Sequence, residues 1–228
     1  VINQRNIVLF LGPPGAGKGS LSQLCIKRLG WQQLSTGNLF REHIALGTDL
    51  GKEVDFAIKS GKLVSDILVV NMVDMWLARS MKSRTVIFDG FPRTVPQARS
   101  LQKLLESRGD ISLHLVRLTI PDEDLVYRLL ARSICQNNEC QMVYSLRMES
   151  GHSPSQLNTC DECNSALMRR SDDDESSIKE RLKIYHEHEQ GLRLFYEASG
   201  YPVTSIEAHV PIEEVYERVV ETTGFKNI

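Results

Sequence analysis

Gly12-Pro13-Pro14-Gly15-Ala16-Gly17-Lys18-Gly19-Ser20 decides how the rest of the chain is read. An apolar run, Ile7 to Leu11, leads into it, and a helical pattern with Leu21, Leu24, Cys25 and Leu29 along one side leads out. Strand, glycine-rich turn and helix in that order are the context a phosphate-binding loop requires. Glycines let the backbone close around an anion, so that successive N–H groups point at it. A helix starting near Lys18 adds the positive end of its dipole and its unpaired N–H groups. The Lys18 ammonium supplies a mobile point charge. Gly12, Gly15, Ala16, Gly17, Lys18, Gly19 and Ser20 are therefore the first candidate site residues. The plain form of the loop ends Gly-Lys-Ser/Thr, whereas here Gly19 stands between Lys18 and Ser20.

Downstream, strand and helix patterns alternate. Trp31 to Leu34 reads as a short strand, and Ser35-Thr36-Gly37-Asn38 as a helix start. Gly47 and Gly51 are expected to break the next segment into short helices, before a turn at Gly61-Lys62-Leu63-Val64. A helix is predicted from Ser65-Asp66 to about Ser80, with Ile67, Val70, Val73 and Leu77 inward. Thr85 to Phe88 is a strand of the kind buried on both faces of a parallel sheet. A helix over Val95 to Ser107, a strand over Leu113 to Ile120 and a helix opening at Pro121 come next. Helix resumes near Asp172, with a bend expected at Gly191; Tyr201 to Ser205 is a last strand and Pro211 to Thr222 a last helix. The fold class is therefore α/β, a three-layer arrangement around a parallel sheet. Ligands in such sheets sit beyond the carboxyl ends of the strands, where Gly12, Thr36 and Asp89 are expected to meet. The domain reading is a core of 1–34, 65–130 and 174–228, a helical insertion at 35–64 and a small β-rich lid at 131–173.

Asp89 closes an apolar strand, the position where a phosphate-loop protein keeps the acid that holds magnesium. After it, Arg93 offers a planar fork suited to a bidentate grip on an anion. Gln97 carries both donor and acceptor and so can read a base edge. Between Ile134 and Met168 the pattern changes: Cys135 and Cys140 are spaced C-x4-C, and Cys160 and Cys163 C-x2-C. Four thiolates make a closed tetrahedral set that suits structural Zn2+, with Glu139 or Asp161 as weaker substitutes for one of them, and with reduced free thiols or a disulfide as the alternatives to a metal. Cys25 reads as a small core residue. His43, His114, His152, His186, His188 and His209 show no spacing that marks a site.

Composition excludes several classes. The chain has 228 residues, 41% hydrophobic and 25% charged, with a formal net charge of -2. These values belong to a globular protein rather than a disordered one. The charge argues against a protein that coats nucleic acid, and no apolar run is long enough for a membrane span. Clustered cysteines point to a reducing, cytoplasmic setting.

Five separated motifs in one order carry a resemblance to a known family. They are Gly12 to Ser20, Ser35 to Arg41, Gly61 to Val64, Asp89 to Gln97, and Arg169-Arg170-Ser171-Asp172-Asp173. Over nearly its whole length the chain resembles the adenylate kinases of the long-lid type. The resemblance implies reversible, Mg2+-dependent phosphoryl transfer from ATP to AMP, giving two ADP, by a monomer. It implies that Thr36, Arg41, Val64, Gly90, Arg93 and Gln97 hold AMP, and that Arg128 and Arg132 sit at the donor nucleotide. Arg170 and Arg181 close on the phosphates, Asp172 and Asp173 bridge to lid arginines, and Lys18, Asp89, Arg93 and Arg132 complete the catalytic set. Two departures stand out: Asn38 where the family carries Asp, which weakens the expected water network around magnesium, and the wide C-x4-C arm.

The chemistry agrees with that implication. Phosphoryl transfer asks little covalent work of a protein; it needs positioned anions, neutralised charge and exclusion of water. A GTP:AMP kinase or another nucleoside monophosphate kinase is the alternative within the class. Outside it stands a phosphate-loop nucleotide switch whose cysteine ribbon binds a partner. That reading expects a basic, aromatic ribbon surface, whereas the segment offers Arg147, Arg169 and Arg170 with Tyr144 as its aromatic.

Overall fold

The computed structural model describes residues 5–59, 64–80, 82–109, 111–137, 140–146, 153–170 and 172–225. The turn expected at Gly61 to Leu63, together with Glu139, Arg147 and His152, lies outside them. Among the described residues no helix is long and apolar enough to cross a membrane.

The order of elements is β1 (Arg5–Leu11), α1 (Lys18–Leu29), β2 (Gln32–Ser35), α2 (Thr36–Ala45), α3 (Asp49–Lys59), α4 (Asp66–Ser80), β3 (Thr85–Asp89) and α5 (Val95–Arg108). There follow β4 (Ile111–Thr119), α6 (Asp122–Leu130), β5 (Arg132–Cys135), β6 (Val143–Ser145), β7 (Leu167–Met168), α7 (Glu175–Ala198), β8 (Val203–Glu207) and α8 (Ile212–Thr223). The fold is mixed α/β, with eight helices among the described residues and a five-stranded parallel sheet in the order β2-β3-β1-β4-β8. Alternation of strand and helix leaves no room for hairpins, so neighbours in the sheet run parallel. Val8 pairs in register with Ile87, Phe10 with Asp89, and Ser35 with Asp89 from the other side. β5, β6 and β7 form a separate antiparallel sheet in the order β6-β5-β7.

The chain divides into two compact units. One comprises 1–11, 30–116 and 188–203. Its core gathers Ile7 and Leu9 of β1, Val86 and Phe88 of β3, Val73 and Leu77 of α4, Leu101 of α5 and Tyr196 of α7. The strands are apolar at consecutive positions because both faces are covered: Ile7, Val8 and Leu9 are all fully buried. The other unit comprises 12–29, 117–187 and 204–228. Within it Leu125 and Leu129 turn inward from α6, and Leu21 and Cys25 are buried on α1.

Several expectations are corrected. Ile67 is 77% exposed, because the inward face of α4 runs through Val69, Val73 and Leu77 instead. Gly51 lies inside α3 and only Gly47 separates the two short helices. The last strand starts two residues later than Tyr201, since Tyr201 makes no strand pairing and instead donates its N–H back to Tyr196 O at the end of α7. α7 runs as one helix through Gly191, where a Cβ would come 3.3 Å from Val95 Cγ2, so the glycine lies at a point of close packing inside an unbroken helix.

Candidate functional site

Each unit carries half of the candidate chemistry. In the second, the loop from Gly12 to Gly17 leads directly into α1, which begins at Lys18 as the motif requires. Gly12 has φ +145°, and a Cβ there would lie 2.9 Å from Leu118 O, so no side chain fits. Lys18 folds back across its own loop: its Nζ donates to Gly12 O at 2.6 Å and Pro13 O at 2.8 Å. The ammonium thus braces two of the loop's carbonyls, and the Ala16 N–H donates to the second of them, Pro13 O, at 3.2 Å.

The same unit holds four of the predicted arginines. Arg132, at the start of β5, donates through Nε and Nη2 to both oxygens of Asp173 at 2.8 and 2.5 Å. Arg181 on α7 reaches Asp173 Oδ1 and Asp172 Oδ2, each at 3.1 Å, and Arg170 grips Asp172 from two nitrogens at 2.8 and 2.7 Å. Asp172 and Asp173 therefore bridge Arg132, Arg170 and Arg181, and they hold the three guanidiniums in one cluster. Burial lowers the Arg132 and Arg181 pKa values from the ordinary guanidinium range, opposed by Asp173 for the first and by Asp172 for the second. For Asp172 burial alone would raise the pKa, but the charges of Arg170 and Arg181 outweigh it and lower it. Arg128 on α6 donates to Ala208 O at 3.1 Å, also with a pKa lowered by burial.

Cys135, Cys140, Cys160 and Cys163 come together although 19 residues separate the pairs. Their sulfurs all lie within 4.8 Å of one another, with Cys135–Cys163 at 3.4 Å and Cys140–Cys160 at 3.7 Å. All four are free thiols rather than disulfides. A tetrahedral ion with sulfurs about 2.3 Å away sets S···S distances of about 3.8 Å, so the cluster fits such an ion. The wide first arm is no obstacle, because β5 carries Cys135 and the Cys140 N–H donates back to Asn137 O at 3.1 Å. Asp161 is not among the grouped ligands; its carboxylate accepts Ser155 N instead.

In the first unit, Thr36 opens α2 and donates to Gly90 O at 3.1 Å, the same carbonyl that takes Arg93 Nε at 2.8 Å. Asp89 ends β3 and accepts from Gln33 Nε2 at 3.2 Å. Asn38 Oδ1 accepts from Arg41 Nη2, so the residue that departs from the family pattern is tied to one of the arginines expected to hold AMP. Gln97 is buried in the first turn of α5. Val64 buries its side chain in the core, which leaves its backbone for any ligand contact.

Comparison with known proteins decides the family. A family model described as adenylate kinase matches residues 10–201. The chain belongs to the adenylate kinase family. It is 37% identical to an adenylate kinase of Kosmotoga olearia over 97% of this chain and 98% of the relative. It is 35% identical to one of Streptomyces avermitilis, covering 94% and 95%, and 36% identical to one of Bacillus licheniformis, covering 96% and 98%. The family's reaction is phosphoryl transfer between ATP and AMP, which makes the chain a phosphotransferase with nucleotide-binding residues.

Behind the residues expected to bind nucleotide stand others that carry no clear mark in the sequence of this adenylate kinase. Gln33 reads only as strand, and Tyr144 only as an aromatic. Tyr144 in fact accepts Asp161 N at 2.8 Å and lies 3.5 Å from Cys160 Sγ. Asp66 and Thr94 sit behind Gln97. His186 and His209, unremarkable by spacing, pair with Asp122 and Asp124 at 2.8 Å each, because the partners come from α6. The only signal for any of these is a helix-start residue type, at Asp66 and Thr94.

Proposed function

We propose that the protein catalyses reversible, Mg2+-dependent transfer of the ATP γ-phosphoryl group to AMP, forming two ADP. The observation that carries this reading is the Arg132–Asp173–Arg181–Asp172–Arg170 cluster in the phosphate loop's own unit. It preorganises positive charge around one fully buried carboxylate, Asp173, and one partly solvated one, Asp172, which is how a transition state bearing phosphoryl charge is stabilised without reorganisation. In this reading the amides of Gly12 to Ser20 with Lys18, Arg128 and Arg132 hold ATP. Thr36, Arg41, Val64, Gly90, Arg93 and Gln97 hold AMP, Arg170 and Arg181 follow the phosphoryl group, and Asp89 orients the water shell of magnesium. The insertions 35–64 and 131–173 act as lids over a core of 1–34, 65–130 and 174–228, excluding the water that would otherwise take the phosphoryl group.

The four cysteines hold Zn2+ in a structural role, since four thiolates leave no position open for substrate. The ion ties together a lid whose own core is small: Tyr144 and Leu167 packed on the cysteines and Met142. The protein works as a cytoplasmic monomer, without nucleic acid or membrane.

A coupled assay of ADP formation tests the reading, with ATP or GTP as donor and AMP, CMP, UMP or GMP as acceptor. ATP with AMP is expected to be the preferred pair, and Lys18→Met to abolish turnover in a folded protein. Full activity in Lys18→Met, or no ADP from ATP and AMP, would sink the proposal.

A further inference from the structure

Gln97 is held from both ends. Its Oε1 accepts the backbone N–H of Arg93 at 2.7 Å, and its Nε2 donates to Asp66 Oδ1 at 2.7 Å. Asp66, in the first turn of α4, also accepts the Thr94 hydroxyl at 3.1 Å on each of its oxygens. That hydroxyl in turn caps α5 by accepting Gln97 N at 3.3 Å. Gln97 is 4% exposed and Thr94 7%, so water is a poor substitute for any of these partners.

The two holding groups have opposite and unchangeable roles. A backbone N–H can only donate, and an ionised carboxylate can only accept. Turning the amide over would set oxygen against carboxylate and N–H against N–H, two unmatched contacts at a buried position. The amide therefore has one orientation. A glutamine amide carries two donor and two acceptor positions, so one N–H and one lone pair remain in a fixed order. An aminopurine presents an N–H donor at position 6 beside a ring acceptor, whereas a 6-oxopurine presents an acceptor beside a ring N–H. The two bases require opposite orders from the residue that reads them.

We propose that Asp66 is a specificity-determining positioning residue: with the Arg93 N–H it fixes the Gln97 amide so that the acceptor site takes an amino-substituted base and rejects its oxo counterpart. This rests on Gln97 reading the base of the monophosphate, as proposed above. Asp66 itself touches no substrate in this scheme; it acts through Gln97.

The test compares kcat/KM for AMP and for IMP, with ATP as donor, in wild type, Asp66→Asn and Asp66→Glu. Asn presents either a donor or an acceptor to Gln97, so one of the two constraints on the amide is lost. The AMP-to-IMP ratio is expected to fall by about tenfold in Asp66→Asn, the scale set by one well-made base contact, with IMP turnover rising in absolute terms. Asp66→Glu keeps the acceptor and is expected to restore the preference. If AMP and IMP turnover fall together and the ratio stays put, Asp66 only ties α4 to α5 and the inference is wrong. A wild type that prefers another monophosphate to AMP defeats the proposed function instead, before any variant is made. Should Asp66→Asn fail to fold, nitrogen-15 spectra of the wild type decide. Protected Gln97 side-chain amide protons, one of them shifted downfield by the carboxylate, support the inference; rapid exchange of both overturns it.

Discussion

Tyr196 lies fully buried on α7, yet its hydroxyl has no hydrogen-bond partner among the described residues. Burial pushes its pKa up from the usual phenol value, and electrostatic repulsion from the Tyr201 phenol adds to the shift. A buried hydroxyl without a partner opposes folding by about 1–3 kcal/mol. Tyr196→Phe is therefore expected to leave stability unchanged or raise it by about 1 kcal/mol, measured as the urea midpoint at constant m. Asp172 and Asp173 make the opposite point about neighbours that look alike in sequence. The Asp173 side chain is fully buried between Arg132 and Arg181, whereas that of Asp172 is 39% exposed. Removing one member of a buried pair strands the other charge and costs about 3–5 kcal/mol. A partly solvated pair contributes about 1 kcal/mol or less. Urea denaturation should thus show Asp173→Asn far less stable than Asp172→Asn; equal losses would contradict the burial argument.

At the scale of elements, the pair α2 and α3 depends on Gly51. A Cβ at that position would lie 2.0 Å from His43 O and 2.4 Å from His43 C, both backbone atoms that cannot step aside. Thr48 fastens the same corner: its hydroxyl accepts Gly51 N at 2.9 Å and lies 3.1 Å from His43 Nδ1. Gly51→Ala, favourable by helix propensity alone, is expected to destabilise by at least about 1–3 kcal/mol because it forces the two helices apart. Thermal unfolding followed by circular dichroism would measure it, and a more stable Gly51→Ala would mean the helices can separate at no cost. The case also shows where sequence reading stops. Gly51 and Gly191 both look like helix breakers, as glycines inside helical patterns do. Both are instead points of close approach to another segment, which no local pattern encodes. Ile67 is misplaced by its sequence for a related reason: at the start of α4 the apolar residues Ile67, Leu68, Val69 and Val70 run together, so periodicity cannot choose a face.

For the whole molecule, the cysteine cluster is the part whose stability is expected to come from outside the chain. Metal-binding free energy becomes folding free energy when the ligands are apart in the unfolded state, as two pairs 19 residues apart are. Stripping the ion with a strong chelator should lower the melting temperature, a loss of about 2 kcal/mol corresponding to about 4–8 °C for a chain of this size. Calorimetry paired with elemental analysis checks both the ion and its effect. An identical melting curve before and after verified removal would show that the sheet β6-β5-β7 holds itself together.

The chain's own order of residues determined the parts whose chemistry is local. The glycine-rich turn between an apolar strand and a helix was legible as a candidate anion cradle, because the torsions and N–H groups that such a cradle needs belong to consecutive residues. The alternating strands and helices were legible for the same reason, since the burial period is written into each segment. Tertiary structure decided what depends on residues far apart in the chain: which arginine is stranded without Asp173, why Gly51 cannot be alanine, and how Asp66 comes to hold Gln97 across 31 positions. Those contacts arise from packing separate elements against each other. Packing is set by the volume and direction of every neighbouring side chain at once, and no single stretch of sequence contains that information.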